Sequence, residues 1–351
     1  MPRARSTRLR WFRERGILAG LVLCGVATVA VTGLIVFILA RETSTFFGQA
    51  LTPTHGDPAR TVEVSLGDFF GDLTWSPNAP VDARFGIWPL IGGTLQVAGV
   101  AMAFAIPFGL MSAIWLSEYA PARVRAVLKP VLEIIAGVPT VVFGFFALTV
   151  ITPALQMRFW QVPEIDPSTG QPLLGADGQP LTAPLLADWV SGYNALAAGL
   201  AVGVMCLPIV TSLTEDALRA VPRALREGSY GMGASRFETA TRVVFPAALS
   251  GVVAACLLAV ARAVGETMIV AIAAGASALA LSDRGPGRLL ALGQDTQTMT
   301  GFLVQVFKGD IAHGGVAYQA CYAVALTLFV MTLFLTVLGG VIRQRFGQRY
   351  E

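Results

Sequence analysis

The sequence predicts an all-α integral membrane protein with about six transmembrane helices. Of its 351 residues, 54% are hydrophobic and only 13% are charged, and the mean hydropathy is +0.65. Soluble domains carry about 25% charged residues, so most of this chain has lipid as its solvent. Six stretches are apolar over the roughly 20 residues that a helix needs to cross the hydrocarbon core of a bilayer.

The six predicted spans are spread along the whole chain. The first follows an arginine-rich tail and is 24 residues long. That length exceeds the roughly 7–15 apolar residues of a cleavable signal peptide, so we expect an uncleaved anchor. The fifth is the one predicted span with internal charges, Arg262 and Glu266. The spans are 17–40, 85–117 with its helix near 88–116, 134–157, 189–214, 247–275 and a part of 311–342.

The distribution of basic residues predicts the orientation. An even number of spans puts both termini on one side of the membrane. The segments on that side hold 17 Lys and Arg residues, and the segments on the opposite side hold 7. Basic loops stay in the cytoplasm, so both termini are predicted to be cytoplasmic. The inner segments are 1–16, 118–133, 215–246 and 343–351, and the outer segments are 41–84, 158–188 and 276–310.

Metal, disulfide and enzymatic chemistry find no support in the sequence. The four cysteines lie in apolar stretches without a Cys-x-x-Cys spacing, and neither histidine has a partner at metal-ligand spacing. No His-Glu-x-x-His motif and no paired aspartates occur in the spans, which argues against a membrane-embedded enzyme. The phosphate-binding loop of ATPases, Gly-x-x-x-x-Gly-Lys-Ser/Thr, is also missing. We predict no metal and no cofactor, and any ATP hydrolysis belongs to another chain.

Two loops have a pattern of their own. Loop 161–188 repeats Gly-Gln-Pro-Leu at 170–173 and 178–181, and with Asp-Gly at 177–178 it reads either as a small hairpin or as an ordinary turn-rich loop. Loop 214–246 is polar and reads as two helical pieces around a glycine-rich break at 228–233. A short helix lying across the membrane surface and a plain solvated connector are both consistent with that loop.

The second loop resembles the "EAA" loop of ABC importer permeases. That pattern is Glu-Ala-Ala, three residues, Gly, nine residues, Ile, one residue, Leu-Pro. This chain has Glu-Gly-Ser at 227–229, Gly at 233 and Val-x-Phe-Pro at 243–246 with the same spacing. Four residues differ from the pattern, and each is a small residue in place of a small one or an apolar residue in place of an apolar one. The resemblance implies a coupling helix that docks into a groove of a cytoplasmic ATPase, with contact positions Glu227, Gly228, Tyr230, Gly233, Phe237 and Pro246.

The resemblance extends over residues 69–343 and is to the PstC-type permease of phosphate importers, more than to the sister PstA type. The matching stretches are Phe-Gly-Ile-Trp-Pro-Leu at 85–90, Gly-Thr-Leu at 93–95, Leu-Ser-Glu-Tyr-Ala-Pro at 116–121, Lys-Pro-Val-Leu-Glu at 129–133, Ala-Gly-Val-Pro-Thr-Val-Val-Phe-Gly-Phe at 136–145, Gly-Tyr-Asn at 192–194 and Ala-Arg-Ala-Val-Gly-Glu-Thr-Met at 261–268. It implies a type I ABC importer transmembrane domain (MetI-like) with an extra N-terminal anchor helix, in a bacterial plasma (inner) membrane. The alternatives are a permease for another oxyanion or small solute, and the PstA-type subunit.

This resemblance also implies the organisation and the partners. The expected partners are a second, PstA-like permease, two PstB-like ATPase subunits, an extracytoplasmic PstS-like phosphate-binding protein, phosphate and the lipid bilayer, and not nucleic acid. The expected divisions are 1–16 cytoplasmic basic tail, 17–40 anchor helix, 41–87 extracytoplasmic segment, 88–342 type-1 ABC transmembrane domain with the coupling loop at 214–246, and 343–351 cytoplasmic tail.

The charged pair in the fifth span is the candidate substrate site. From Ser250, Arg262 is 12 residues along, or about 18 Å on a helix, and a charge at that depth costs roughly 2.5–3.5 kcal/mol. One interpretation is self-neutralisation, since Arg262 and Glu266 are four residues apart, although Arg before Glu is the poorer order. The other, which the resemblance supports, is that Arg262 meets phosphate, with Glu266 and Thr267 beside it on the path.

Other polar residues within the spans have two interpretations. Thr94, Gln96 and Asn194 either line the path or form hydrogen bonds between helices, and we favour the hydrogen bonds. Gly137 and Pro139 predict a break near the inner end of the third span.

Overall fold

Helices make up nearly all of the structure, a computed structural model that describes residues 4–48, 63–77, 79, 83–156, 161–163, 171, 182–184, 190–278, 291–309 and 315–346. In chain order they are α1 (Ala4–Gly48), α2 (Leu66–Gly71), α3 (Trp88–Ile114), α4 (Ala122–Ala136), α5 (Thr140–Phe146), α6 (Thr152–Gln156), α7 (Ala195–Arg219), α8 (Arg223–Gly231), α9 (Arg236–Thr239), α10 (Phe245–Val264), α11 (Met268–Ala273), α12 (Met299–Phe307) and α13 (Val316–Phe346). Three π-helical turns continue these helices. Trp115–Tyr119 extends α3, Ala147–Ile151 joins α5 to α6, and Ala240–Val244 joins α9 to α10.

Within the described residues, five helical stretches are long and apolar enough to cross a membrane, and a bent pair makes a sixth. The pair consists of Ala122–Ala136 and Thr140–Gln156, which meet at 85°. This confirms the predicted break at Gly137 and Pro139. The predicted third span, 134–157, is not one continuous helix, because α4 ends at Ala136, Pro139 has an extended ψ of 132° and the next helix starts at Thr140.

The core is a tight contact between α3 and α7, with α10 packed beside both. Glycines permit the close approach. A Cβ on Gly199 would stand 2.6 Å from the Cβ of Val100, and one on Gly109 would stand 2.7 Å from a methyl of Val210. Small residues at helix contacts are what membrane bundles use, because lipid gives no hydrophobic drive for association and close packing supplies the energy instead.

The N-terminal helix α1 stands apart from this core. Its 45 residues extend about 67 Å at 1.5 Å per residue, and the predicted anchor span lies within it. Apolar side chains along its middle are exposed, and only its end enters the protein, where Phe46 packs edge-on against Phe69 and Phe85. An exposed apolar helix of this length is typical of a membrane anchor.

Three further predictions, two on the limits of spans and one on a hairpin, can be compared with the structure. The fourth span, predicted at 189–214, is α7 and continues to Arg219. The fifth, predicted over 247–275 with Arg262 and Glu266 interrupting the apolar run, begins at Phe245 and ends at Val264. Short antiparallel strands pair Gln161–Pro163 with Thr182–Pro184, as a hairpin requires, although the Asp-Gly turn lies outside the described residues.

Candidate functional site

The predicted charged pair is formed, and it sits at a break in the helix. Nη1 of Arg262 lies 2.9 Å from Oε2 of Glu266. Helix α10 ends at Val264, so Glu266 occupies the connection to α11 rather than a continuous helix. The local chemistry explains the break: the other carboxylate oxygen accepts a hydrogen bond from the backbone N–H of Met268 at 3.2 Å, which competes with a helical hydrogen bond.

The two members of the pair differ sharply in exposure. The Glu266 side chain is 2% exposed, whereas that of Arg262 is 44% exposed. The backbone carbonyl of Glu266 also accepts the hydroxyl of Thr300 at 2.7 Å, so α12 holds this turn in place. Among the described residues, the guanidinium has the Glu266 carboxylate as its one hydrogen-bond partner.

The other polar residues predicted in the spans are held inside the protein. Thr94 donates to the carbonyl of Leu90 at 2.8 Å and accepts the N–H of Met299 at 3.0 Å. Asn194 caps α7 by accepting the N–H of Ala197 at 2.6 Å, and it donates to Thr152 at 3.2 Å. These contacts favour the helix-to-helix hydrogen-bond interpretation. The hydroxyl of Thr267 donates to the carbonyl of Gly265 at 3.2 Å, which keeps it beside the Arg262–Glu266 pair.

The predicted coupling loop contains a short helix with an exposed apolar tip. Helix α8 begins after Pro222, and Glu227 and Gly228 lie on its surface. The break falls after Gly231 rather than across the whole glycine-rich stretch, and Gly233 takes a positive φ of 85° there. Tyr230 is 42% and Phe237 is 67% exposed.

The coupling residues and the charged pair occupy separate parts of the chain. Pro246 is exposed in the first turn of α10, and Arg262 lies 16 residues further along the same helix. That spacing corresponds to about 24 Å. Helix α10 is therefore a direct rigid connection between the two predicted sites.

A buried carboxylate that sequence reasoning missed lies at the end of α7 nearest to α8. Glu215 has a fully buried side chain, 2.9 Å from Nζ of Lys129, 3.5 Å from Arg219 and 3.7 Å from Arg125. Lys129 also contacts the exposed Asp216. The predicted span ended at residue 214, which placed Glu215 in a solvated loop. The available signal was a pair of basic residues four apart in the amphipathic segment 122–136.

Helix α8 has a largely buried ion pair of its own. Arg226 lies 3.0 Å and 3.3 Å from the two carboxylate oxygens of Glu118, and it donates to the carbonyls of Leu218 at 2.8 Å and Val221 at 2.7 Å. We use the name loop-end network for the charged residues at this end of the bundle. Its members are Glu118, Arg125, Lys129, Glu215 and Arg226.

Comparison with known proteins identifies relatives over most of the chain. A family model described as "Binding-protein-dependent transport system inner membrane component" matches residues 105–350. The probable ABC transporter permease protein YqgH of Bacillus subtilis is 31% identical over 78% of this chain and 77% of its own length. The phosphate transport system permease protein PstC of Mesorhizobium japonicum is 30% identical over 80% of both chains.

A solved structure shares the fold at low identity. A chain in the crystal structure of a bacterial ABC transporter involved in the import of the acidic polysaccharide alginate is 10% identical, with a TM-score of 0.56. The match covers 97% of this chain and all of that one. The likeness is one of helix arrangement and confirms the predicted class of all-α membrane fold.

Proposed function

Since this chain belongs to the family of binding-protein-dependent transport system inner membrane components, we propose that it is the PstC-type permease subunit of an ATP-driven importer of inorganic phosphate. The main support for phosphate as the substrate is the 30% identity with a phosphate transport permease over 80% of both chains. As a member of this family the chain is a transport subunit and not an enzyme, and it crosses the membrane several times.

Arg262 is the residue we propose to meet phosphate on the translocation path. Phosphate carries a charge between about −1 and −2 near neutral pH, and a guanidinium presents a planar donor fork that fits its oxygens. The half-exposed side chain leaves donors available beyond the bond to Glu266. A pore site must also release what it binds, and the buried Glu266 carboxylate tempers the positive field, with the Thr267 hydroxyl beside it.

The exposed tip after α8 is the surface we propose to dock into an ATPase. Three of its residues, Glu227, Gly228 and Tyr230, lie on the nine-residue helix α8. Gly233 follows that helix, and Phe237 is in α9. Two exposed aromatic rings suit a hydrophobic groove on a partner, in the manner of helix-in-groove recognition. Pro246 starts the helix that leads toward Arg262, so movement of the tip can reach the path along α10.

The proposed complete transporter contains four further subunits. A PstA-like permease forms the other half of the pore. Two PstB-like ATPases bind the coupling helices of the two permeases, and a PstS-like protein delivers phosphate from outside. We propose that both termini and α8 lie in the cytoplasm, because basic segments favour that side of the membrane. Closure of the ATPases on ATP then rocks the permeases from inward-facing to outward-facing.

Uptake by the whole complex tests this proposal. The purified complex is reconstituted into vesicles that contain ATP, and entry of radiolabelled phosphate is compared with entry of radiolabelled sulfate, each in the presence of the binding protein. We expect ATP-dependent phosphate uptake that excess unlabelled sulfate does not inhibit. Uptake of sulfate at an equal rate, or no ATP-dependent uptake of phosphate, would reject the assignment.

A further inference from the structure

Helix α8 contacts the spans through Leu225, which packs on the apolar core at this end of the bundle, and through the largely buried Arg226, whose position is set by four acceptors. Arg226 uses Nε and Nη2 for the two oxygens of Glu118, and Nη1 and Nη2 for carbonyls at the end of α7. The side chains of Arg226 and Glu118 are 16% and 6% exposed. A planar guanidinium with this many fixed partners has little rotational freedom, so α8 and the inner ends of two spans are held as one unit.

The Glu118 end of the connection is fixed by a second arginine. Glu118 lies in the π-helical turn Trp115–Tyr119, which directly extends α3. Arg125 of α4 donates to the carbonyls of Leu116 and Ser117 in that turn and to the carbonyl of Ala120 just after it, at 2.9 to 3.3 Å. The hydroxyl of Ser117 also donates to Glu118 at 2.9 Å. The turn Trp115–Tyr119, to which Arg226 is bonded through Glu118, is therefore itself restrained by hydrogen bonds.

The other end of α8 is more loosely attached. The chain leaves α8 through Gly233 with its positive φ, and α9 is linked to α8 by the hydroxyl contact of Ser229 and Thr239 at 2.9 Å. A neutral hydroxyl contact is weaker than a charge-assisted fork. Displacement of α8 thus passes more stiffly toward α3 and α7 than toward α9.

We propose that Arg226 and Glu118 are positioning residues that transmit the movement of α8 to the inner ends of the second and fourth spans, α3 and α7. The proposal rests on the proposed function, in which α8 is the helix gripped by an ATPase. Neither residue touches the substrate or nucleotide. Their role is to make the two spans follow α8, so their loss separates ATP hydrolysis from transport.

The first test compares uptake with ATP hydrolysis in the whole reconstituted complex. In Arg226→Gln and Glu118→Gln, we expect phosphate transported per ATP hydrolysed to fall about tenfold or more, because each change leaves the partner charge buried and unpaired. The amount of ATPase that copurifies should stay unchanged. Arg226→Lys keeps the charge opposite Glu118 but cannot hold the carboxylate and both carbonyls together, so its ratio should be intermediate.

Exposed residues of the same types serve as controls. Arg123→Gln and Glu133→Gln change an arginine and a glutamate of α4 that lie on the surface of the same end of the bundle, and both should keep the wild-type ratio. A wild-type ratio of transport to hydrolysis in Arg226→Gln and Glu118→Gln would overturn the proposal.

Hydrogen exchange in the wild-type complex provides a test that needs no variant and no known substrate. When ATP is added, the amides of α8 and those of Trp115–Tyr119 should change their exchange together. A response in α8 without one in the π-helical turn would overturn the link. If the wild-type complex fails to transport phosphate, the proposed substrate falls while this measurement still reports on the link.

Discussion

Two regions of this chain each hold a buried carboxylate in an ion pair, and they differ in how completely the charges are paired. In the loop-end network, the fully buried Glu215 has three cations within 4 Å, and the Arg226 guanidinium is shared among four acceptors. In the fifth span, Arg262 has one carboxylate and a side chain that is nearly half exposed.

This difference distinguishes charges that stabilise the structure from a charge that is available to bind an anion. A buried charge costs several kcal/mol unless its hydrogen bonds are satisfied, so a multiply paired ion has no donor or acceptor left for a ligand. A singly paired guanidinium at an open surface keeps donors that a passing anion can use. We therefore expect changes in the fifth span to act on transport and changes in the network to act on stability and coupling.

The largest effect is expected from Arg262→Gln. Each hydrogen bond to a charged group contributes about 1.5–3 kcal/mol, so loss of a two-bond fork should lower phosphate uptake by about 100-fold or more. The complex should still assemble, because the introduced glutamine amide can donate to Glu266. Vesicle uptake measures the transport, and copurification of the ATPase measures the assembly.

A double variant separates the two interpretations of this pair. Arg262→Gln with Glu266→Gln removes both charges and leaves no unpaired carboxylate. If the pair only neutralises itself, the double variant transports at the wild-type rate and Arg262 has no part in the mechanism. If Arg262 meets phosphate, the double variant is as inactive as the single one.

The next largest effect concerns stability in the loop-end network. Glu215→Gln removes the buried anion from three cations, and we expect a loss of about 2–4 kcal/mol, since two of those cations are partly exposed and screened by water. Asp216→Asn is the matched control, because Asp216 contacts the same Lys129 from the surface. Its loss should stay under about 1 kcal/mol.

Denaturant unfolding of the purified chain in detergent compares these two variants. The comparison isolates burial, since both carboxylates share a cation and lie next to each other in α7. Equal losses of free energy of unfolding would mean that burial is not what gives Glu215 its importance.

A helix break caused by proline can be predicted from the sequence more reliably than the residue at which a helix ends. The break at Gly137 and Pro139 was predictable because proline restricts the residue before it and removes a donor. The end of α10 at Val264 was not, since the apolar run continues to residue 275 and hydropathy carries no information on backbone hydrogen bonds. The competing bond from Met268 to the Glu266 carboxylate is a feature of the folded chain.

The same limit explains which charged residues were found. Arg262 and Glu266 stand out because they interrupt an apolar run. Glu215 and Arg226 sit where polar residues are common, at a helix end and beside the Glu-Gly-Ser motif, so composition gives no reason to single them out. Their burial depends on partners 86 and 108 residues away in sequence, Lys129 and Glu118.

A smaller effect should distinguish two glycines of the proposed coupling segment, Gly228 and Gly233. Gly233→Ala places a side chain at a φ of 85° and should cost about 1–2 kcal/mol. Gly228→Ala lies within α8 with open space around it and should stabilise that helix by up to about 1 kcal/mol. Hydrogen exchange of the α8 amides should therefore speed up in the first variant and slow down in the second. The same direction in both would show that φ at Gly233 does not constrain the loop.

The smallest effect tests hydrogen bonding in the absence of burial. Glu238 is exposed, and its carboxylate accepts the backbone N–H and the hydroxyl of Ser235, both at 2.9 Å. These hydrogen bonds, with Arg242 nearby, hold the pKa of Glu238 below its usual value. A lowered folded-state pKa means that the contribution to stability is complete above the unfolded pKa of about 4.3 and is lost as the pH falls through the folded value.

Protection of the α9 amides, corrected for intrinsic exchange, should therefore stay constant from about pH 8 to pH 5 and decrease below about pH 4. Glu238→Gln should remove that decrease, because an amide side chain does not titrate. A loss of protection between pH 5 and 8 would contradict the assignment to this carboxylate. The change should be confined to α9, since an exposed carboxylate with good partners holds one turn and, unlike Glu215, does not hold the bundle.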